Sequence, residues 1–255
     1  IPIPLTFFPE GADDLDDAAI PFPCIVKPAV MYDFYRKTGK KVFFCNNRDE
    51  LRTAYDRALK VIPAAEIIIQ EVIPGDGRDQ FSACFLYLGG QKYTTLTVCR
   101  LRQHPVDFGN ATTYAEVADS PEPEQYGERL LQAAGYNGLC EVEFKRDARD
   151  GTFRLLEVNP RTWKWHIIAE KTGTPFIPLL FDHLAGLPVV PVEGYSKASF
   201  CHAATDIPVR LVLFFRGARY WNRRVRPVQD AVWAPDDPAP WFFEKLYLPD
   251  FIINR

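Results

Sequence analysis

Apolar and polar positions alternate from Leu139 to Lys145 and again from Thr152 to Val158, and the stretch Asp147-Ala148-Arg149-Asp150-Gly151 between them ends in Asp-Gly, a strong hairpin signal. The pattern predicts an antiparallel strand pair. Strand side chains repeat with period two, so Glu141 and Glu143 point to one face, as do Leu155 and Glu157, with Asn159 continuing that second set. Further strands are predicted at Pro21 to Lys27, Lys41 to Cys45 and Ile67 to Ile73, and a hairpin joins Phe81 to Leu88 with Tyr93 to Cys99 around Gly89-Gly90. Helical spacing over Leu51 to Val61 follows an Asn46-Asn47 cap, with Leu51, Tyr55, Ala58 and Leu59 inward. Glu122 to Gly135 reads as an amphipathic helix with Gly135 at its C-cap, and Thr162 to Thr172 and Phe176 to Leu184 as two more, separated by Gly173 and Pro175. The first residues alternate proline, acid and short apolar runs and read as a lead-in.

Of the 255 residues 47% are hydrophobic and the formal net charge is −3, which suits one or two domains with a sizeable core. The balance argues against a general nucleic-acid or membrane-surface binder, whose footprint is normally basic. No apolar run of about 18 residues is present to span a membrane, and no signal peptide precedes residue 20. Six cysteines, at 24, 45, 84, 99, 140 and 201, are scattered without a C-x-x-C, which favours buried free thiols in a reducing cytoplasm over disulfides or a zinc site. The chain opens on Ile1 rather than Met, as expected of a fragment.

The predicted hairpin carries the clearest chemistry. Acids on its two strands and the amide oxygen of Asn159 can converge into a hard-oxygen cluster that suits Mg²⁺ or Mn²⁺ rather than zinc; the alternative is the solvated face of an ordinary hairpin. Arg161, behind the Asn159-Pro160 turn, would face whatever anion the cations hold. Lys27 stands at the tip of a strand ended by Pro28, as an anion contact or as a surface lysine. Glu71 follows three isoleucines, where a buried carboxylate needs a donor: an adenine amino group, a ribose hydroxyl or a neighbouring lysine. Alternation after Cys99 puts Arg100, Arg102 and His104 on one face, a cationic row turned to a phosphate site or to water. His166 reads as a packed histidine beside Trp163 and Trp165. Arg210, Arg216, Arg219, Arg223, Arg224 and Arg226 crowd a stretch with Phe214, Phe215, Tyr220 and Trp221, more often a solvated helix face beside core aromatics than a nucleic-acid or lipid surface.

Four of these strings resemble one superfamily. Glu157-Val158-Asn159-Pro160-Arg161 resembles the metal-binding end of ATP-grasp proteins, Pro23 to Pro28 their P-x-V-V-K-P strand, and Ile68 to Gly75 their I-x-Q-E-x-I-P-G hinge. Arg100 to Pro105, with Gly109 beyond, resembles the R-x-R-Q-x-P stretch of ATP-grasp ligases. The resemblance covers about residues 20–187 and implies an α+β ATP-grasp fold, two lobes with antiparallel sheets clasping ATP. It divides the chain into a lead-in (1–20), a small lobe (21–73), a large lobe with the metal site (74–187) and a C-terminal extension (188–255), with the superfamily's N-terminal domain missing. By position, Glu143 is implied as first metal ligand, Glu157 as the bridging one and Asn159 as the third, with Arg161 on phosphate or substrate. Lys27 and Lys41 are implied as phosphate contacts, Gln70, Glu71, Val72 and Ile73 as the adenine strand, Asp79 as a ribose acid, and Arg100 and Arg102 as contacts to the transferring group. Where relatives carry a glycine-rich flap this chain has only Gly39, so the flap is expected to act through Arg36, Lys37, Lys40 and Lys41. The implied activity is an ATP- and Mg²⁺- (or Mn²⁺-) dependent carboxylate-amine or carboxylate-thiol ligase working through an acyl phosphate. Small-molecule substrates, no nucleic acid, no membrane, a cytoplasmic location and a homodimer go with it. A phosphotransferase and a nucleotide-binding module without turnover are the alternatives.

Overall fold

Isoleucines at alternate positions explain the smaller of two sheets: Ile67 and Ile69 are buried on one side of a strand whose intervening positions are only partly covered. The structure, a computed structural model, describes all residues but 18, 107, 108, 110, 254 and 255, and of 17, 170 and 248–253 the backbone alone. It divides into two compact units, one of residues 2–74 with 147–155, the other of residues 1, 75–146 and 156–255.

In the first unit, β1 (Thr6–Phe7), β2 (Cys24–Pro28), β3 (Phe43–Cys45) and β4 (Ile67–Glu71) form an antiparallel sheet in the order β1-β4-β2-β3. The opening residues, expected as a lead-in, thus supply an edge strand, with Thr6 opposite Gln70, and α1 (Asp14–Asp17), whose Leu15 is buried. The segment expected as a flap is a helix instead, α2 (Met31–Thr38), closed by Gly39 in the left-handed conformation at φ 66°. Helix α3 (Arg48–Leu59) starts where the Asn47 side chain accepts the Glu50 N–H, and it buries Leu51, Ala54, Tyr55 and Ala58 at helical spacing. Leu59, expected inward, is 42% exposed because the helix ends on it. Residues 147–155 close the unit: Leu155 N–H donates to the Pro2 carbonyl, and Ala148 N–H to that of Pro74.

The second unit is built on a seven-stranded sheet. Its strands are β5 (Gln80–Leu88), β6 (Gln91–His104), β7 (Ala111–Val117), β8 (Gly138–Arg146), β9 (Phe153–Asn159), β10 (Ser199–Cys201) and β11 (Val228–Asp230), in the order β11-β10-β7-β6-β5-β8-β9. The β10 and β11 pair is parallel, and residues expected as a C-terminal extension therefore complete this sheet. Helix α4 (Pro121–Ala133) packs on it through Gly127, where a Cβ would lie 2.5 Å from the Phe85 ring. Trp163, Trp165 and Phe176 join Cys84, Leu86, Leu96, Val98 and Phe200 in the core. The helix expected over Thr162 to Thr172 is confined to one 3₁₀ turn and α5 (Ala169–Thr172), whereas α6 spans Phe176–Leu184 as expected. Two more helices follow, α7 (Ala203–Phe215) and α8 (Ala239–Ile253), and among the described residues none is long and apolar enough to cross a membrane.

Candidate functional site

The pleat of β8 sends Glu141 and Glu143 to the same side, opposite Cys84 and Ser82 of β5. Asn159, the last residue of β9, is 4% exposed; its amide nitrogen donates to Glu143 Oε1 at 3.0 Å and lies 3.5 Å from Glu141 Oε2. Arg161 is turned back on the same group, donating through Nη2 to Asn159 Oδ1 at 2.9 Å. Arg100 enters from β6: Nη1 contacts Glu143 Oε2 and sits 4.0 Å from Glu141 Oε1, while Nε donates to Thr112 Oγ1 at 2.9 Å. Two carboxylates, one amide and two guanidinium groups therefore meet on the paired strands.

The electrostatics of this cluster follow from burial. Glu141 is 3% exposed, and burial, then the neighbouring Glu143 charge, push its carboxyl up to about 7 against the pull of Arg100. Burial works against the Arg100 charge, but Glu143 and Glu141 outweigh it and hold its pKa above the ordinary value. Three polar atoms here are buried without a hydrogen-bond partner: Glu141 Oε1, Arg100 Nη1 and, across from Glu143 on β5, Ser82 Oγ. An orphaned carboxylate oxygen beside a second carboxylate and an amide oxygen is a donor set that fits a hard divalent cation. Among the described residues no three acids, histidines or cysteines gather as a metal cluster, and Glu157 is exposed on β9, the edge strand. Of the expected trio Glu143, Glu157 and Asn159, the structure brings Glu143 and Asn159 together, and the buried Glu141 lies beside them. Period two already places Glu141 beside Glu143, whereas the resemblance assigns a ligand role by position to Glu143 alone.

Arg102 is elsewhere. The β6 register slips between Cys99 and Arg102, so an extra residue enters the strand and alternation fails. Arg102 pairs with Tyr114, over whose ring its guanidinium lies at 4.0 Å, and grips Asp206 of α7 through Nε at 2.8 Å and Nη2 at 2.9 Å. It is 1% exposed, and Nη1 donates to the carbonyls of Tyr220 and Arg223. The expected cationic row does not form: Arg100 faces the acids, Arg102 is enclosed, and His104 is exposed. Asp79, expected on a ribose, accepts from Arg146 and caps the turn at Asp76. His166 is half-buried, with Nδ1 2.8 Å from the Trp163 carbonyl, as expected of a packed histidine.

In the first unit, Lys27 Nζ donates to Gln70 Oε1 at 2.8 Å across β2 and β4, and Gln70 Nε2 donates to Thr6 Oγ1. Glu71 is 5% exposed and accepts from two groups of the chain: Leu5 N–H reaches Oε1 at 2.9 Å and Arg149 Nη2 reaches Oε2 at 3.0 Å. Arg149 is held in turn by Asp147, which Arg154 also contacts. The Val72 N–H is given to the Pro23 carbonyl, Ile73 is buried, and Lys41 lies half-buried just before β3.

The family described as "carbamoyl-phosphate synthase L chain, ATP binding domain" matches residues 124–184, a span that includes β8, β9, Glu141, Glu143, Asn159 and Arg161. Three solved structures are similar over most of this chain. A biotin carboxylase from Campylobacter jejuni, in a β,γ-ATP complex, aligns with TM-score 0.60 and 17% identity over 77% of this chain and 46% of its own. The biotin carboxylase domain dimer of Hydrogenobacter thermophilus 2-oxoglutarate carboxylase, with MgADP, ADP and bicarbonate, gives 0.56 and 18% over 77% and 46%. An L-amino acid ligase from Bacillus licheniformis gives 0.50 and 20% over 76% and 45%. The chain therefore spans about half the length of these proteins. Two sheets in this order, with paired strands carrying the acids and Asn159, establish the architecture: the chain is built on the ATP-grasp fold.

Proposed function

We propose that the protein is an ATP- and Mg²⁺-dependent ligase that activates a small-molecule carboxylate as an acyl phosphate and joins it to an amine or thiol. The observation that carries this reading is the gathering of Glu141, Glu143, Asn159, Arg100 and Arg161 on the paired strands of an ATP-grasp fold. Mg²⁺, when bound, neutralises and orients the phosphates. The chain's own groups do the rest. Glu143 and Asn159, with Glu157 two residues earlier, offer oxygens to the cation; Arg161 and Arg100 offer guanidinium groups to the anion transferred. Lys27, paired with Gln70, and Lys41 serve the phosphates, and the Gln70 to Ile73 strand the base. Solved proteins of this fold include nucleotide complexes and an amino acid ligase, which supports the reaction class. A cytoplasmic setting agrees with six free cysteines, all buried, and a homodimer with the dimeric Hydrogenobacter domain.

Hydroxylamine trapping tests the proposal. With ATP, Mg²⁺ and a panel of carboxylates, the expected result is carboxylate-dependent ADP release with formation of a hydroxamate. Glu157→Gln should lose metal-dependent ATP use with its unfolding midpoint unchanged; unaltered turnover in that variant overturns the assignment of Glu157. A nucleotide-binding module without turnover is the second reading, favoured by α2 standing where a glycine-rich flap was expected. ATP binding without any ADP release would select it.

A further inference from the structure

The two oxygens best placed for a divalent cation are already held by guanidinium groups. Arg100 contacts Glu143, and Arg161 donates to Asn159 Oδ1 at 2.9 Å. A cation held by Glu143 and Asn159 would compete with both guanidinium groups for these oxygens. Arg161 is exposed and follows the end of β9, so it can turn away into solvent. Arg100 has no such exit. Its side chain is 5% exposed and its Nε is tied to Thr112, and a buried guanidinium stripped of its counter-ion is strongly unfavourable. The group placed to receive it is Glu141, whose Oε1 lies 4.0 Å from the same Nη1 and has no hydrogen-bond partner.

We propose that Glu141 is a positioning residue, the reserve counter-ion to which Arg100 passes when a divalent cation takes Glu143. The exchange keeps the guanidinium beside the cation, where it can meet the anion being transferred. The inference rests on the cation-binding part of the proposed function and adds a role for two residues of this chain. A plain third metal ligand at 141 would make a different prediction, because Arg100 would then be irrelevant to cation affinity.

The test is titration of Mn²⁺ alone into the whole chain, read as free ion by electron paramagnetic resonance, with thermal midpoints recorded for each variant. In Glu141→Gln, Arg100 keeps Glu143 and competes with the cation, so Mn²⁺ binds about ten-fold or more weakly while the midpoint holds or rises. Glu141→Asp, which retains the charge, recovers part of that loss. Arg100→Gln combined with Glu141→Gln removes the competitor and returns affinity to within about three-fold of the unaltered chain. Wild-type affinity in Glu141→Gln overturns the proposal. Equal weakness in the single and double variants also overturns it, and identifies Glu141 as a direct ligand. Should the double variant not fold, failure of Glu141→Asp to bind better than Glu141→Gln is the overturning result. Absence of Mn²⁺ binding by the unaltered chain is separate: it refutes the cation site itself, and the exchange with it.

Discussion

Removing the Asp206 carboxylate should cost the second unit more stability than any other polar change in it. Asp206 and Arg102 are 1% exposed each, joined by two charged hydrogen bonds at 2.8 and 2.9 Å, with Thr113 Oγ1 donating to the same Asp206 at 2.9 Å. Asp206→Ala leaves an enclosed guanidinium with, among the described residues, the Tyr220 and Arg223 carbonyls and the Tyr114 ring. Breaking a buried pair from one side costs about 3–5 kcal/mol. For a unit of 150–250 residues that lowers the thermal midpoint by about 6–20 °C. Arg102→Met combined with Asp206→Leu removes both charges together and should recover at least about 2 kcal/mol of the summed single losses, since apolar replacement of a buried pair is often close to neutral. The assay is urea unfolding followed by tryptophan fluorescence, which reports this unit selectively because all five tryptophans lie within it. Additive single losses, with coupling below about 0.5 kcal/mol, would refute the reasoning and return Arg102 to the candidates for an anion contact.

Other consequences are open to simpler measurements. The Arg149 guanidinium beside Asp147 holds that carboxyl well below the usual carboxylate range, so its stabilisation is present above an unfolded pKa of about 3.9 and is lost as pH falls further; Asp147→Asn should flatten the acid limb of the midpoint between roughly pH 5 and 2, and an unchanged limb would contradict this. Burial pushes the thiols of Cys99 and Cys201 up to about 12 and that of Cys140 up to about 11, so Ellman's reagent at pH 8 should find them unreactive in the folded chain and all six cysteines reactive in denaturant. Gly127→Ala should destabilise by about 1–3 kcal/mol despite alanine's better helix propensity, because the new methyl would meet Phe85 at 2.5 and 2.7 Å; a midpoint at or above that of the unaltered chain would show that the ring yields freely.

Much of this was legible in the residue pattern where information is local. Period two placed Glu141 and Glu143 together, Asp-Gly marked the turn where Gly151 adopts φ 78°, and Asn47 capped α3 as its side-chain chemistry requires. What alternation cannot foresee is a slipped register: one inserted residue between Cys99 and Arg102 separated two arginines that the pattern put side by side. Nor could the string Ile-Ile-Ile-Gln-Glu name the partner of Glu71, because Arg149 stands 78 residues further on. The short strands at Thr6–Phe7, Ser199–Cys201 and Val228–Asp230 carry too few positions to show any period, and each exists because a neighbouring strand offers an open edge to pair with. Helix α2 departs from the likeness, because MYDFYRKT has helical capacity of its own at a position where relatives carry a loop.

The nine residues from Asp147 to Leu155 belong with residues 2–74, although more than seventy others separate them in the chain. During synthesis, the amino-terminal unit therefore waits: until Arg149 has left the ribosome, the carboxylate of Glu71 lacks its salt-bridge partner and the Pro2 carbonyl lacks the Leu155 amide. A nascent chain halted before residue 147 should consequently be digested quickly by protease within its first 74 residues, and one extended past residue 155 should resist.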